Sequence, residues 1–200
     1  MIVLFATTNP HKVSEVSAIL QPLGYTITDL SAHPGLDEPI EDGVSFADNA
    51  RIKARAYAAQ CRLPCLAEDS GLEVEALGGR PGVHSARYSG VAGPRSVVDA
   101  ANNEKLLKEL SHVPWERRQA RFVSAFCLAR PDGSIVAEAS GSYEGRIALS
   151  ASGSNGFGYD PLFYLDDAEC TSAELSAEEK NRRSHRGRAA RHLAQLLAAH

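Results

Sequence analysis

The stretch IVLFATTNPHK, residues 2–12, already holds the alternation on which the fold reading rests. Residues 2–6 are a short continuous apolar run, which suits a buried strand. Asn9 is placed to cap a helix, and Pro10 would sit at its first position, where a missing N–H costs nothing. Val13, Val16, Ile19, Leu20 and Leu23 follow at helical spacing, and Gly24 ends the helix. Working outward, Tyr25 to Leu30 reads as a second strand. Ser45 and Asp48 form a capping pair ahead of an alanine-rich helix that runs to Gln60. Residues 65–68 form a short buried strand entering Asp69. Residues 78–93 hold five glycines and read as a loop. A helix is expected over Pro94–Leu110, with a break near Asn102 and Asn103 left open. Residues 119–130 and 134–144 are strand-like around the turn Pro131-Asp132-Gly133. Ser184 is expected to cap a last helix with Ala189, Leu193, Leu196 and Leu197 on one face. Early alternation with a later hairpin favours a mixed α/β sheet, in one domain over residues 1–200.

Composition bounds the partners. The chain has 200 residues, 44% hydrophobic and 23% charged, enough to support a core. A net charge of −4 argues against a nucleic-acid coat protein or a polybasic membrane binder. The apolar runs are too short for a membrane span, and the N-terminal stretch lacks the basic region of a signal peptide, so a cytoplasmic location is expected. The cysteines Cys61, Cys65, Cys127 and Cys170 lack the spacing of a zinc site and are expected to be separate thiols.

Several stretches carry polar chemistry. The turn Thr7-Thr8-Asn9-Pro10-His11-Lys12 presents hydroxyls and free amides at a helix start, which attract anions. Lys12 opposes the helix dipole there unless an anion lies nearby; a solvated lysine reads the turn equally well. Glu68 and Asp69 are adjacent on a strand, so they point to opposite faces and are not expected to share one ion unless the strand kinks. Asp69 suits a hard cation or a proton-accepting role, against a plain Asp-Ser-Gly turn. Glu41 lies in an acidic loop and is a candidate companion. In Ser154–Pro161, Phe157 and Tyr159 alternate with glycines and suit base stacking, while Asp160 would accept a bond from a base or a lysine. Lys180 to Arg188 is the dense basic run of an acidic chain, with His185 and Arg186 in the first turn of the last helix.

In order along the chain, ATTNPHK, AEDSGLEVEALGGRPGVHSARYSG, QARF, NGFGYDP, AELSAEEKN and SHRGRA span residues 6–190. Together they resemble the inosine triphosphate pyrophosphatase family, in its bacterial dITP/XTP pyrophosphatase branch. The resemblance implies an α/β fold with a long mixed sheet flanked by helices, two lobes with a central cleft, and a homodimer. It implies Mg²⁺-dependent cleavage of non-canonical purine nucleoside triphosphates to monophosphate and pyrophosphate. Carried over residue by residue, Thr7, Thr8, Asn9, Pro10, His11 and Lys12 would line the triphosphate site. Asp69 would be catalytic base and metal ligand, Glu41 a second metal carboxylate, and Ser70 a substrate contact. Phe157, Gly158, Tyr159, Asp160, Lys180, His185 and Arg186 would hold the nucleoside. Thr8 stands where the family often has glycine, Glu68 where many members have aspartate, and Asn155 where glycine is common.

Rival readings are a pyrophosphatase for modified pyrimidines or canonical bases, and a nucleic-acid module using residues 180–191. The SHRG and GFGYDP pieces count against the first. The net charge and the lack of a second basic patch count against the second.

Overall fold

A computed structural model describes residues 1–199. Seven strands form one sheet in the order β2-β1-β3-β4-β5-β6-β7. They are β1 (Ile2–Phe5), β2 (Thr26–Asp29), β3 (Cys65–Val74), β4 (Gln119–Ala129), β5 (Ile135–Ile147), β6 (Phe163–Leu165) and β7 (Cys170–Thr171). β1 runs parallel to both β2 and β3, whereas β6 is antiparallel to β5 and β7. The helices are α1 (Pro10–Leu20), α2 (Phe46–Cys61), α3 (Arg95–Glu109), α4 (Ala177–Arg183) and α5 (His185–Ala198). The sheet is therefore mixed, as expected. The short strands β6 and β7 and the helix α4 went unforeseen, because they have too few residues for a period to show.

The chain divides into two compact units. Among the described residues, the first comprises residues 1–70, 124–141 and 185–199. Its two buried clusters follow the alternation of the strands. Val3, Phe5, Leu66, Phe126 and Leu128 pack with Val16 and Leu20 of α1 and with Ala189, Ala190, Leu193 and Leu197 of α5. Leu4, Cys65, Ala67, Cys127 and Ala129 point the other way, toward Ala50, Ala54, Tyr57 and Ala58 of α2. Helices on both faces explain why residues 3–5 are uninterruptedly apolar. The local signals hold: Asn9 Oδ1 accepts the His11 N–H at 3.0 Å, Ser45 Oγ accepts the Asp48 N–H at 3.2 Å, and Gly24 takes φ +83°.

The second unit comprises residues 71–123 and 142–184. Its core gathers Leu72, Val74, Leu106, Leu110, Ile147, Leu162 and Phe163. Gly78, Gly79, Gly82, Gly90 and Gly93 all have positive φ, so the glycine-rich loop is glycine-rich for backbone reasons. α3 passes unbroken through Asn102 and Asn103. Asn102 is buried, accepting the Ser89 N–H at 2.7 Å and donating to the Ser85 and Ala86 carbonyls, so it bolts the loop to the helix instead of ending it. β3 also outruns its expected end. It continues to Val74, which places Asp69 inside a strand and removes the Asp-Ser-Gly turn. All four cysteines are free thiols. Among the described residues, no helix is long and apolar enough to cross a membrane.

Candidate active site

The alternation that sorts the core also sorts the charges of β3. Leu66 faces α1 and α5, so Glu68, two residues on, faces them as well; Ala67 and Asp69 face α2. Glu68 is buried, with its side chain only 1% exposed. Lys12 Nζ lies 3.0 Å from Glu68 Oε2, and Arg186 Nε donates to Oε1 at 2.8 Å. The Ser124 hydroxyl also donates to Oε1, at 2.9 Å. Arg186 has a second, longer ionic neighbour in Glu15, at 3.6 Å. Burial would push the Glu68 carboxyl up, but the Lys12 and Arg186 charges outweigh it and hold the group well below the usual carboxylate range. The cations at the starts of α1 and α5, each unfavourable toward its own helix dipole, therefore share one internal anion. For Lys12 the sequence had left a nearby anion or a solvated lysine open, and the nearby anion is a carboxylate of the protein itself.

Asp69 has different company. Asn49 Nδ2 donates to Oδ2 at 3.1 Å, and Lys53 Nζ lies 3.3 Å from Oδ1. Asn49 and Lys53 stand four apart on α2 and share one face. The same Lys53 ammonium is 3.1 Å from Glu41 Oε2. Burial raises the Asp69 pKa; Lys53 and the Asn49 bond pull it back only in part, and the Glu41 charge adds to the rise. Asp69 is thus a stronger base than a free aspartate, and Glu41, the candidate companion, shares its Lys53 partner. Both carboxylates turn toward one cation, Lys53, so the pair has the donors a hard divalent cation takes. Groups of three or more metal-ligating side chains are absent among the described residues, so an ion here would complete its shell with ligand oxygens and water. Ser70 is the next residue of β3 and is half-buried.

At the start of α1, Thr7 Oγ1 accepts the Asn9 N–H at 3.1 Å, while Thr8, Pro10 and His11 are exposed. His185 and Arg186 open α5, both half-buried.

In the second unit, the Asn155–Pro161 turn separates its two aromatics. Phe157 is 53% exposed, with Lys180 Nζ 5.1 Å and Arg95 Cζ 5.3 Å from its ring centroid. Tyr159 is 4% exposed and its hydroxyl donates to the Ser85 carbonyl at 2.9 Å. The expectation of two stacking rings is corrected to one, because Tyr159 is spent on the core. Asp160 is buried as well. Its Oδ2 pairs with Lys180 and accepts the Phe157 N–H at 2.7 Å, and its Oδ1 accepts from Ser172 Oγ at 3.1 Å. It organises the turn and meets the lysine, the second of the two partners foreseen for it. Gly156 has φ +79°, and a Cβ there would collide with the Asp160 carboxylate and Lys180 Nζ. Gly158 follows at φ +64° and is half-buried.

The pattern of the Ham1 family matches residues 3–196. The chain belongs to the Ham1 family. Among its relatives, the dITP/XTP pyrophosphatase of Corynebacterium glutamicum is 48% identical over 205 residues, covering 99% of this chain and 97% of that one. That of Thermus thermophilus is 50% identical over 193 residues, covering 96% and 90%. The solved HAM1 protein of Coxiella burnetii superposes with a TM-score of 0.91 at 36% identity, over the full length of both chains. The nucleoside-triphosphatase / dITP/XTP pyrophosphatase of Mycobacterium abscessus gives 0.77 at 46% identity, over 91% of this chain and 90% of that one.

Sequence reasoning on this Ham1 chain missed Asn49, Lys53, Ser124 and Glu15. A signal for the first two was present: an amide and a lysine four apart, on the apolar-faced helix before the acidic strand. Ser124 carried none, since a serine in a strand is ordinary.

Proposed function

We propose that this protein hydrolyses non-canonical purine nucleoside triphosphates, ITP, dITP, XTP and dXTP, to the monophosphate and pyrophosphate. The reaction removes these nucleotides from the pool before they enter DNA or RNA. The observation that carries the reading is the placement of Asp69: a half-buried carboxylate with raised basicity, sharing the Lys53 ammonium with Glu41. The full-length likeness to enzymes named dITP/XTP pyrophosphatase supports it.

Asp69 accepts a proton from a water that attacks the α-phosphorus. The bond between the α-phosphorus and the bridging oxygen breaks, and pyrophosphate leaves with that oxygen. Charge develops on the phosphoryl oxygens, so positioned cations do most of the work. Lys12 supplies one such charge, held ready by Glu68. At the start of α1, the Thr7 and Thr8 hydroxyls, the Asn9 side-chain amide and the His11 ring donate to phosphate oxygens, and Pro10, which has no N–H, shapes the turn. Lys53 keeps the Asp69 and Glu41 carboxylates turned to one point. Mg²⁺, when bound by Asp69 and Glu41, adds charge stabilisation and lowers the pKa of bound water.

The base is read as an acceptor-rich purine. Hypoxanthine and xanthine present a 6-keto acceptor and an N1–H donor, and adenine presents the reverse pair. Arg186, a donor, suits the keto group, and the exposed Phe157 ring suits stacking. Lys180, Gly158 and the half-buried His185 and Ser70 complete the substrate contacts; the buried Asp160 and Tyr159 contribute by supporting the turn. The protein acts as a cytoplasmic homodimer in this reading.

The test is a hydrolysis panel with Mg²⁺ on ITP, dITP, XTP, GTP and ATP, scoring pyrophosphate and orthophosphate separately. Pyrophosphate from the first three, with little from GTP or ATP, supports the reading. Orthophosphate, or indifference to the base, overturns it.

A further inference from the structure

One stripe of α3 grips the backbone beside Phe157. Arg95, Asp99 and Asn103 follow at steps of four residues and so line one side of the helix. Asp99 uses both carboxylate oxygens. Oδ1 accepts from Arg95 Nε at 2.9 Å, and Oδ2 accepts the Gly158 N–H at 2.8 Å. Asn103 Nδ2 donates to the Gly158 carbonyl at 2.9 Å. Both peptide groups of Gly158, a residue with positive φ, are thereby tied to the helix. The Phe157 N–H is separately held by Asp160, and the Arg95 guanidinium stands over the Phe157 ring. These bonds fix the backbone from which the exposed ring projects, and the Arg95 guanidinium packs on its face.

We propose that the α3 stripe is a positioning device that sets the Phe157 ring for a purine base, with Asp99 as its central positioning residue. The proposal rests on the functional reading above and deepens it, since neither Asp99 nor Asn103 touches substrate. Stacking depends on ring offset and tilt, so a ring held in place binds a base without first ordering itself. Loss of the grip weakens recognition of the base and leaves recognition of the phosphates intact.

The test compares Asp99→Ala, Asp99→Asn and Asn103→Leu with the wild type. KM and kcat are measured for ITP, together with inhibition by inorganic tripolyphosphate, which has no base. In Asp99→Ala, KM for ITP should rise about tenfold while kcat falls less than about threefold. Tripolyphosphate inhibition should stay within about twofold of wild type. Asp99→Asn keeps an acceptor for the Gly158 N–H and should recover most of the loss. Asn103→Leu, a good helix former, carries the same test if Asp99→Ala fails to fold. Equal shifts in KM and in tripolyphosphate inhibition, or no shift in either, overturn the proposal while wild-type ITP hydrolysis keeps the functional reading. Absence of ITP hydrolysis in the wild type overturns both.

Discussion

The two sides of β3 at residues 68 and 69 make opposite uses of the same functional group. On the α1–α5 side, Glu68 meets Lys12, Arg186 and Ser124 and is held ionised. On the α2 side, Asp69 meets Lys53 and Asn49 with a second carboxylate nearby, and its proton affinity rises. One carboxylate is a fixed counterion and the other is poised to accept a proton. Adjacent residues differ this much because a strand sends them to opposite faces, and each face brings its own helices. One residue of pleat separates the carboxylate of raised proton affinity from the one that anchors Lys12 and Arg186.

The sharpest way to break the contrast is Asp69→Asn. Turnover should fall about a thousandfold, since the general base is lost. Because burial makes the ionised Asp69 unfavourable in the folded state, its melting temperature should hold or rise. Retention of near-full activity in a steady-state assay would remove Asp69 from the chemistry. Glu68→Gln should act against stability, where Asp69→Asn does not. Two partly buried cations lose their shared anion, and the fold should weaken by about 3 kcal/mol, read as a fall in melting temperature of about 6–12 °C. An unchanged melting curve would mean that Glu68 is not an anchor.

The turn at 157–160 sharpens the comparison in the second unit, where one aromatic, Phe157, is exposed and the other, Tyr159, is built into the core. Phe157→Ala should raise KM for ITP by a factor equivalent to about 2 kcal/mol, with little change in melting temperature, because the ring is exposed. Tyr159→Phe should cost about 1 kcal/mol of stability through the lost bond to Ser85 and leave the preference for ITP over ATP as it was. Thermal melts and a substrate panel separate the two, and an exchange of these phenotypes would reverse the roles assigned here.

Much of this was legible in the chain. The apolar run of residues 3–5, the Asn9 and Ser45 caps, Gly24 and the turn at 131–133 are local signals, settled by steric and hydrogen-bond preferences within a few residues. Glu68 and Asp69 were separable in advance by strand alternation alone. The motifs carrying the family resemblance lie in the same segments as the candidate site. Less local features were hidden. Asn102 left a break in its helix open, because nothing nearby in sequence says that its amide is satisfied by residues 85, 86 and 89.

By itself, then, the sequence determined the types of the longer elements, the mixed α/β class and the segments of the candidate site, because each depends on short-range patterns. Only the tertiary structure decided what each charged or aromatic group does. Arg186 reaches Glu68 across 118 positions and Lys53 reaches Asp69 across 16, while Tyr159 finds Ser85 across 74. Proton affinity and burial are set by neighbours in space, and the packing of helices on the two faces of a strand chooses those neighbours.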